Sequence, residues 1–343
     1  MPDSQIFRIG PLRREYSPSL LPVFLLCCTA TLLIIVAALS MGEVFFSLSQ
    51  TLGLLFEPDS SAQSFILHEL RLPRIILALL AGSGLGIAGL IMQALVRNPL
   101  ASPDTLGVTT GASAGALIWL SFFSLQYGST AMPYAAMTGA AVAVGFIFLL
   151  SWRSGATPLR LVLTGVGVSA LAGAGVTLVL VFSPLTTTFS AWVWLSGSVY
   201  AASWEKVRQL LGIYLWALPI LLILFRYMKV LQLHDDLATG LGVSIHPRRI
   251  LLLLACVILA GGAISLVGAM AFVGLIAPHL ARLIIRNGFF SQLLVTACCG
   301  GGMVIIADLI ARTLFLPADL PAGVFVALAG APLFLWLLIR QRT

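Results

Sequence analysis

The sequence predicts an all-α, polytopic integral membrane protein of about ten transmembrane helices, and three observations carry that prediction. Of 343 residues, 59% are hydrophobic and only 9% charged, where a soluble domain carries roughly 25% charged residues. The mean hydropathy is +1.06. The apolar residues fall into runs of about 20, the length a helix needs to cross a bilayer core, and no soluble domain of useful size fits between them.

In chain order, residues 1–19 read as a tail ahead of the first span. Leu20 to Leu39 is too long for a signal-peptide core and lacks a convincing cleavage site, so it reads as a retained helix. Spans are expected at 20–40, 75–96, 105–125, 133–151, 161–182, 209–226, 250–268, 270–286, 293–311 and 321–339. Ten passes put both termini on one side. With that side cytoplasmic, fourteen basic residues lie inside, and only Arg71, Arg74, Lys206, Arg208 and Arg312 lie outside. The net charge of +7 is scattered singly over segment ends, which is a topology signal and not a nucleic-acid patch.

Two outer loops are long. Glu43 to Arg74 has room for a re-entrant or surface helix, and Ser183 to Arg208 carries Trp192, Trp194, Tyr200 and Trp204, residues suited to the headgroup region. Glycines recur inside spans at 82, 84, 86 and 89, at 165, 167, 173 and 175, and at 300 to 302. They allow close helix packing and equally suit the lining of a wide pore. Gly84 to Gly89 matches the dinucleotide fingerprint GxGxxG but lies within an uncharged 22-residue run with no strand before it, so it reads as a packing stripe.

Catalytic constellations are missing from the sequence. No GxxxxGK[ST] occurs and there are only two lysines, so any ATP must be handled by a partner and the chain reads as a non-catalytic subunit without cofactor or metal. Cys27, Cys28, Cys256, Cys298 and Cys299 lie in apolar segments without metal-ligand spacing and read as packing residues. An ion-coupled secondary carrier needs an ionisable group in mid-membrane. Asp308 and His279 come nearest, and both fall close to predicted span ends.

The polar stretch Lys229 to Arg249 interrupts this pattern between two long spans. Leu231 to Ala238 can form two helical turns with Asp235 and Asp236 exposed, and Gly240 and Gly242 permit a sharp reversal before Pro247 ends the element. Such a hairpin has no core of its own and is shaped to fit another protein.

Longer motifs carry a family resemblance. Leu70-Arg71-Leu72-Pro73-Arg74 leads through a glycine-rich span to Met92-Gln93-Ala94, followed by Arg97 to Gly107 (RNPLASPDTLG) and Gly111-Ala112. Leu241-Gly242-Val243, Gly268 to Arg282 (GAMAFVGLIAPHLAR), Ala307 to Arg312 (ADLIAR), Leu320 to Val324 (LPAGV) and Gly330-Ala331-Pro332 continue it in order. The chain resembles the FecCD family of bacterial ABC-importer permeases, which serve ferric siderophores, haem and vitamin B12. The likeness covers nearly the whole chain.

The resemblance implies a single permease domain over residues 1–343 in the cytoplasmic (inner) membrane. It pairs with a second copy or a related permease above two cytoplasmic ATPases, and a periplasmic or lipid-anchored binding protein docks outside. It implies that Leu231 to His246 couples to an ATPase groove through Leu231, His234, Asp235, Asp236, Ala238, Gly240, Leu241 and Gly242, and that Arg71, Arg74 and Arg312 face acidic residues of the binding protein. At the inner turn Gly155 to Leu159, Pro158 and Leu159 replace the small hydroxyl residues of some relatives. Ferric siderophores lead as cargo, with haem or vitamin B12 next and an ion-coupled carrier as the rival of another class.

Overall fold

The computed structural model describes residues 5–9, 12–16, 20–57, 59–152, 158–224, 227–232, 235–240, 242, 244–285, 288–315 and 319–340. In chain order its helices are α1 (Leu20–Ser40), α2 (Leu48–Phe56), α3 (Ala62–Val96), α4 (Val108–Tyr127), α5 (Met132–Ser151), α6 (Leu159–Phe182), α7 (Leu185–Leu195) and α8 (Trp204–Leu224). They continue with α9 (Asp235–Gly240), α10 (Ile245–Val267), α11 (Val273–Ile284), α12 (Phe289–Leu314) and α13 (Ala322–Arg340). Among the described residues, eight of these are long and apolar enough to cross a membrane. Helices α11 and α13 bring the apolar helices to the ten expected from the sequence.

Three features depart from expectation. The tail holds an antiparallel hairpin, β1 (Gln5–Ile9) and β2 (Leu12–Tyr16), in a register that pairs Gln5 with Tyr16 and Ile9 with Leu12. The expected span 270–286 is a twelve-residue helix preceded by a non-helical stretch. Gly268 and Phe272 at its two ends both take positive φ, which stops α10 and delays the next helix. Pro247 does not end the polar element; it sits in the first turn of α10, where a missing N–H costs nothing.

Helix α3 is the axis of the bundle. Its π-helical turn, Ile66–Arg71, comes just before Pro73, where proline withdraws a backbone donor. Its glycine stripe meets a different neighbour at each step. A Cβ at Gly82 would collide with the Gly300 carbonyl of α12, one at Gly84 with the Tyr214 hydroxyl of α8, and one at Gly89 with the Gly274 carbonyl of α11. At Gly86 it would crowd Thr296 and Ala277. Side-chain hydroxyls bonded to backbone carbonyls seal these close approaches: Tyr214 Oη donates to Leu80 O at 3.2 Å, and Ser83 Oγ to Ala297 O at 2.8 Å. Helices α4 and α5 pack in the same manner through Gly111, Gly115 and Gly139. The GxGxxG look-alike is therefore a helix-packing device.

Candidate functional site

Two polar regions lie at opposite ends of the bundle. At the end holding Ser40 and Leu314, the one expected from the sequence to lie outside, α1, α3 and α12 converge on a buried charge cluster. Arg74 Nη2 lies 2.7 Å from Asp308 Oδ1, and its Nε lies 3.0 Å from both Asp308 oxygens. The same guanidinium reaches Asp319, with Nη1 2.7 Å from Oδ2 and Nη2 2.9 Å from Oδ1. Arg312 Nε approaches Asp308 Oδ2 at 3.7 Å. Arg71 donates to the Leu39 and Val44 carbonyls and sits 4.6 Å from the Phe46 ring centre, while Arg312 donates to the Ala38 carbonyl.

A planar, five-donor guanidinium suits this work because it can bind a carboxylate in bidentate fashion and still reach another acceptor. Arg71, Arg74 and Arg312 are only 5%, 9% and 9% exposed. The structure brings together the three arginines expected to face a partner and gives each an acceptor within the chain. The physical reason is that arginine ends of helices in an apolar setting bind the nearest carbonyls and carboxylates before they are left bare. Asp308 is held by two arginines, and so is not the lone intramembrane carboxylate an ion-coupled carrier needs. Asp319 was not singled out by sequence; its only signal was being the one acid in the short segment between α12 and α13.

At the opposite end, the polar stretch forms a single turn (Met228–Leu231) and α9, bridging α8 and α10. Leu231 is buried and its carbonyl accepts from Arg97 Nε and Nη2 at 3.4 and 3.3 Å. Ala238 is fully buried, while Leu237 beside it is 60% exposed, so α9 lies with one face on the protein and one outward. Asp235 and Asp236 open the helix, the position its dipole favours for acids. Gly240 closes α9, and Gly242 carries the reversal with φ +78°. His234 and Leu241, like much of the inner turn Gly155 to Leu159, lie outside the described residues. Arg248 braces the entry to α10, stacking 4.0 Å from the Tyr227 ring centre and donating to Ser244 O at 2.6 Å.

The turn from Arg97 to Gly107 joins α3 to α4. Arg97 ends α3 in a left-handed conformation, φ 56°, and Asn98 Oδ1 accepts from Leu100 N at 2.9 Å. Asp104 accepts from the Thr109 hydroxyl. Burial raises its carboxyl above the ordinary value, with the hydroxyls of Thr109 and Ser102 opposing.

Between the two ends, an apolar groove of about 480 Å³ runs along α4, α5 and α6, lined by Gly111, Gly115, Trp119, Gly139, Phe146 and Leu171 among others. Among the described residues no group of three or more His, Cys, Asp or Glu side chains could hold a metal ion.

Residues 30–340 match the FecCD transport family. The chain is 50% identical, over 98% of its length and 97% of the relative's, to the achromobactin transport system permease protein CbrC of Dickeya dadantii (strain 3937). It is 36% identical to the ferric enterobactin transport system permease protein FepG of Escherichia coli (strain K12), over 95% of this chain and 98% of the relative. A solved ABC transporter of the metal-chelate type, in an inward-facing conformation, superimposes with a TM-score of 0.82 at 30% identity, covering 93% of this chain and 99% of that one.

Proposed function

This chain belongs to the FecCD transport family, and from that membership we propose that it is the membrane-spanning permease subunit of an ATP-driven importer of ferric siderophores. The observation that carries the cargo is its end-to-end likeness to the achromobactin permease. Transport is by alternating access: cargo passes through a central path unchanged, and the chain does no chemistry of its own. Partner ATPases supply the energy in the cytoplasm, and a second copy or a related permease completes the path within the inner membrane.

Coupling runs through the stretch from Leu231 to Gly242. A helix with one face on the bundle and one outward can pass a partner's movement to α8 and α10, the spans it joins. Asp235 and Asp236 orient it against basic residues of the ATPase groove. Among the described residues nothing lies within 4 Å of a Cβ built at Gly240, so Gly240→Val is expected to leave the permease fold intact and to act on the fit to the ATPase. On the outer face, Arg71, Arg74 and Arg312 hold the surface on which an acidic binding protein docks, with the partly exposed Asp319 as the carboxylate such a partner displaces from Arg74.

The test is uptake of radio-iron as ferric siderophore by vesicles containing this chain with its ATPase and binding protein. ATP-dependent uptake abolished by Gly240→Val, with hydrolysis continuing, supports the reading. Uptake of haem or cobalamin in its place reassigns the cargo, and uptake without any ATPase points to an ion-coupled carrier.

A further inference from the structure

We infer that α2 is an interfacial helix whose apolar face inserts into the outer leaflet of the bilayer, at the boundary between headgroups and acyl chains. The argument begins with depth. Ser40 is the last residue of α1, a 21-residue apolar helix, about 30 Å long and thus about the thickness of the hydrocarbon core. Its hydroxyl lies 3.1 Å from the Thr51 hydroxyl in the middle of α2, and its carbonyl accepts from Phe46 N at 3.0 Å. Helix α2 is therefore pinned at the level where α1 leaves the membrane.

Its rotation is fixed as well. Thr51 is 1% exposed and faces inward, and one turn later the Leu54 carbonyl meets His68 Nε2 at 2.9 Å. The N-terminus is closed by a capping box between Ser47 and Gln50. With that face held by the protein, Leu48, Leu52 and Phe56, four residues apart and on one side, point away from it at 57%, 41% and 77% exposure. Ser49, Gln50, Gly53 and Glu57 occupy the remaining exposed side.

Three sectors result, one packed on protein, one apolar and one polar, which is the division an interfacial helix shows. Phe45, three residues before α2, is likewise 71% exposed. The apolar sector carries no charge or hydrogen-bonding side chain by which a soluble partner could be oriented. The polar sector is the side left for water or for such a partner.

The full chain is reconstituted in phosphatidylcholine and phosphatidylglycerol vesicles after Leu52→Cys, Phe56→Cys, Gly53→Cys or Glu57→Cys and labelling with an environment-sensitive nitrobenzoxadiazole dye. The unsubstituted chain gives the background from its native cysteines. Lipids bearing a nitroxide near the headgroup are expected to quench positions 52 and 56 roughly twofold more than 53 and 57, with the order reversed for aqueous iodide. Equal iodide quenching at all four positions overturns the proposal. So does protection of 52 and 56 from both quenchers, which assigns that face to a protein contact.

Discussion

Helices α3 and α6 are similarly apolar and each carries four glycines, yet they play opposite parts. In the most apolar window of α3, 72% of residues are buried, against 6% in α6. Gly82, Gly84, Gly86 and Gly89 each meet a neighbouring helix. Among the described residues, only Gly165 of α6 does so, seated against the Thr105 carbonyl, while nothing lies within 4 Å of a Cβ built at Gly167, Gly173 or Gly175. A small residue permits close approach but does not create it. On α3 that permission is used within the chain. On α6 it is left open, which under the proposed function is the face offered to a second permease and to the cargo path.

The sharpest break in this contrast should come from the charge cluster that fastens the outer ends of α3 and α12. Asp308→Ala leaves Arg74 and Arg312 without their shared carboxylate and is expected to lower stability by about 3–5 kcal/mol, read from denaturant unfolding in detergent micelles. The double change Arg74→Met with Asp308→Leu should recover part of that loss, since the buried pair is removed together while Arg312 keeps the Ala38 carbonyl and the partly exposed Asp319 is left to water. A neutral Asp308→Ala would show that glycine packing alone holds the two helices together.

Next in size is the packing itself. Gly89→Val must push α11 away from α3 and is expected to cost about 1–3 kcal/mol, whereas Gly167→Val on the open side of α6 should change stability by less than about 0.5 kcal/mol. The same unfolding assay separates them. Within α6, Gly165→Val should cost more than Gly167→Val; if the two are equal, the packed inner end of α6 is not what anchors it.

The smallest effect concerns pH, at the turn that seats α6 against α3 and α4. The Asp104 carboxyl is raised above its ordinary value of 3.8 by burial. For an acid raised in the folded state the fold penalises the charged form. That penalty is absent below the unfolded pKa and grows as pH rises from there to the folded pKa. Stability should therefore increase slightly as pH is lowered toward 4, and Asp104→Asn should flatten the dependence while keeping an oxygen to accept from Thr109. Unfolding midpoints at neutral and mildly acidic pH decide it, and an unaltered slope in the variant removes Asp104 as the cause.

Much of the architecture was legible in the chain because a bilayer restricts it. Apolar runs of span length, basic residues at segment ends and one polar interruption determine a helical bundle, its pass count and the location of α9, since backbone groups in hydrocarbon must be satisfied within each helix. Family motifs from Leu70 to Pro332 determined the kinship in the same way, being local strings. Tertiary structure alone decided the partners. It placed Arg71, Arg74 and Arg312 in one buried cluster, added Asp319 from 245 residues away, halted α10 at Gly268 and delayed α11 to Val273. It also divided the glycine helices into packed α3 and open α6. Each of those outcomes depends on which distant backbone or carboxylate a residue meets, and hydrophobic periodicity carries no record of distant neighbours.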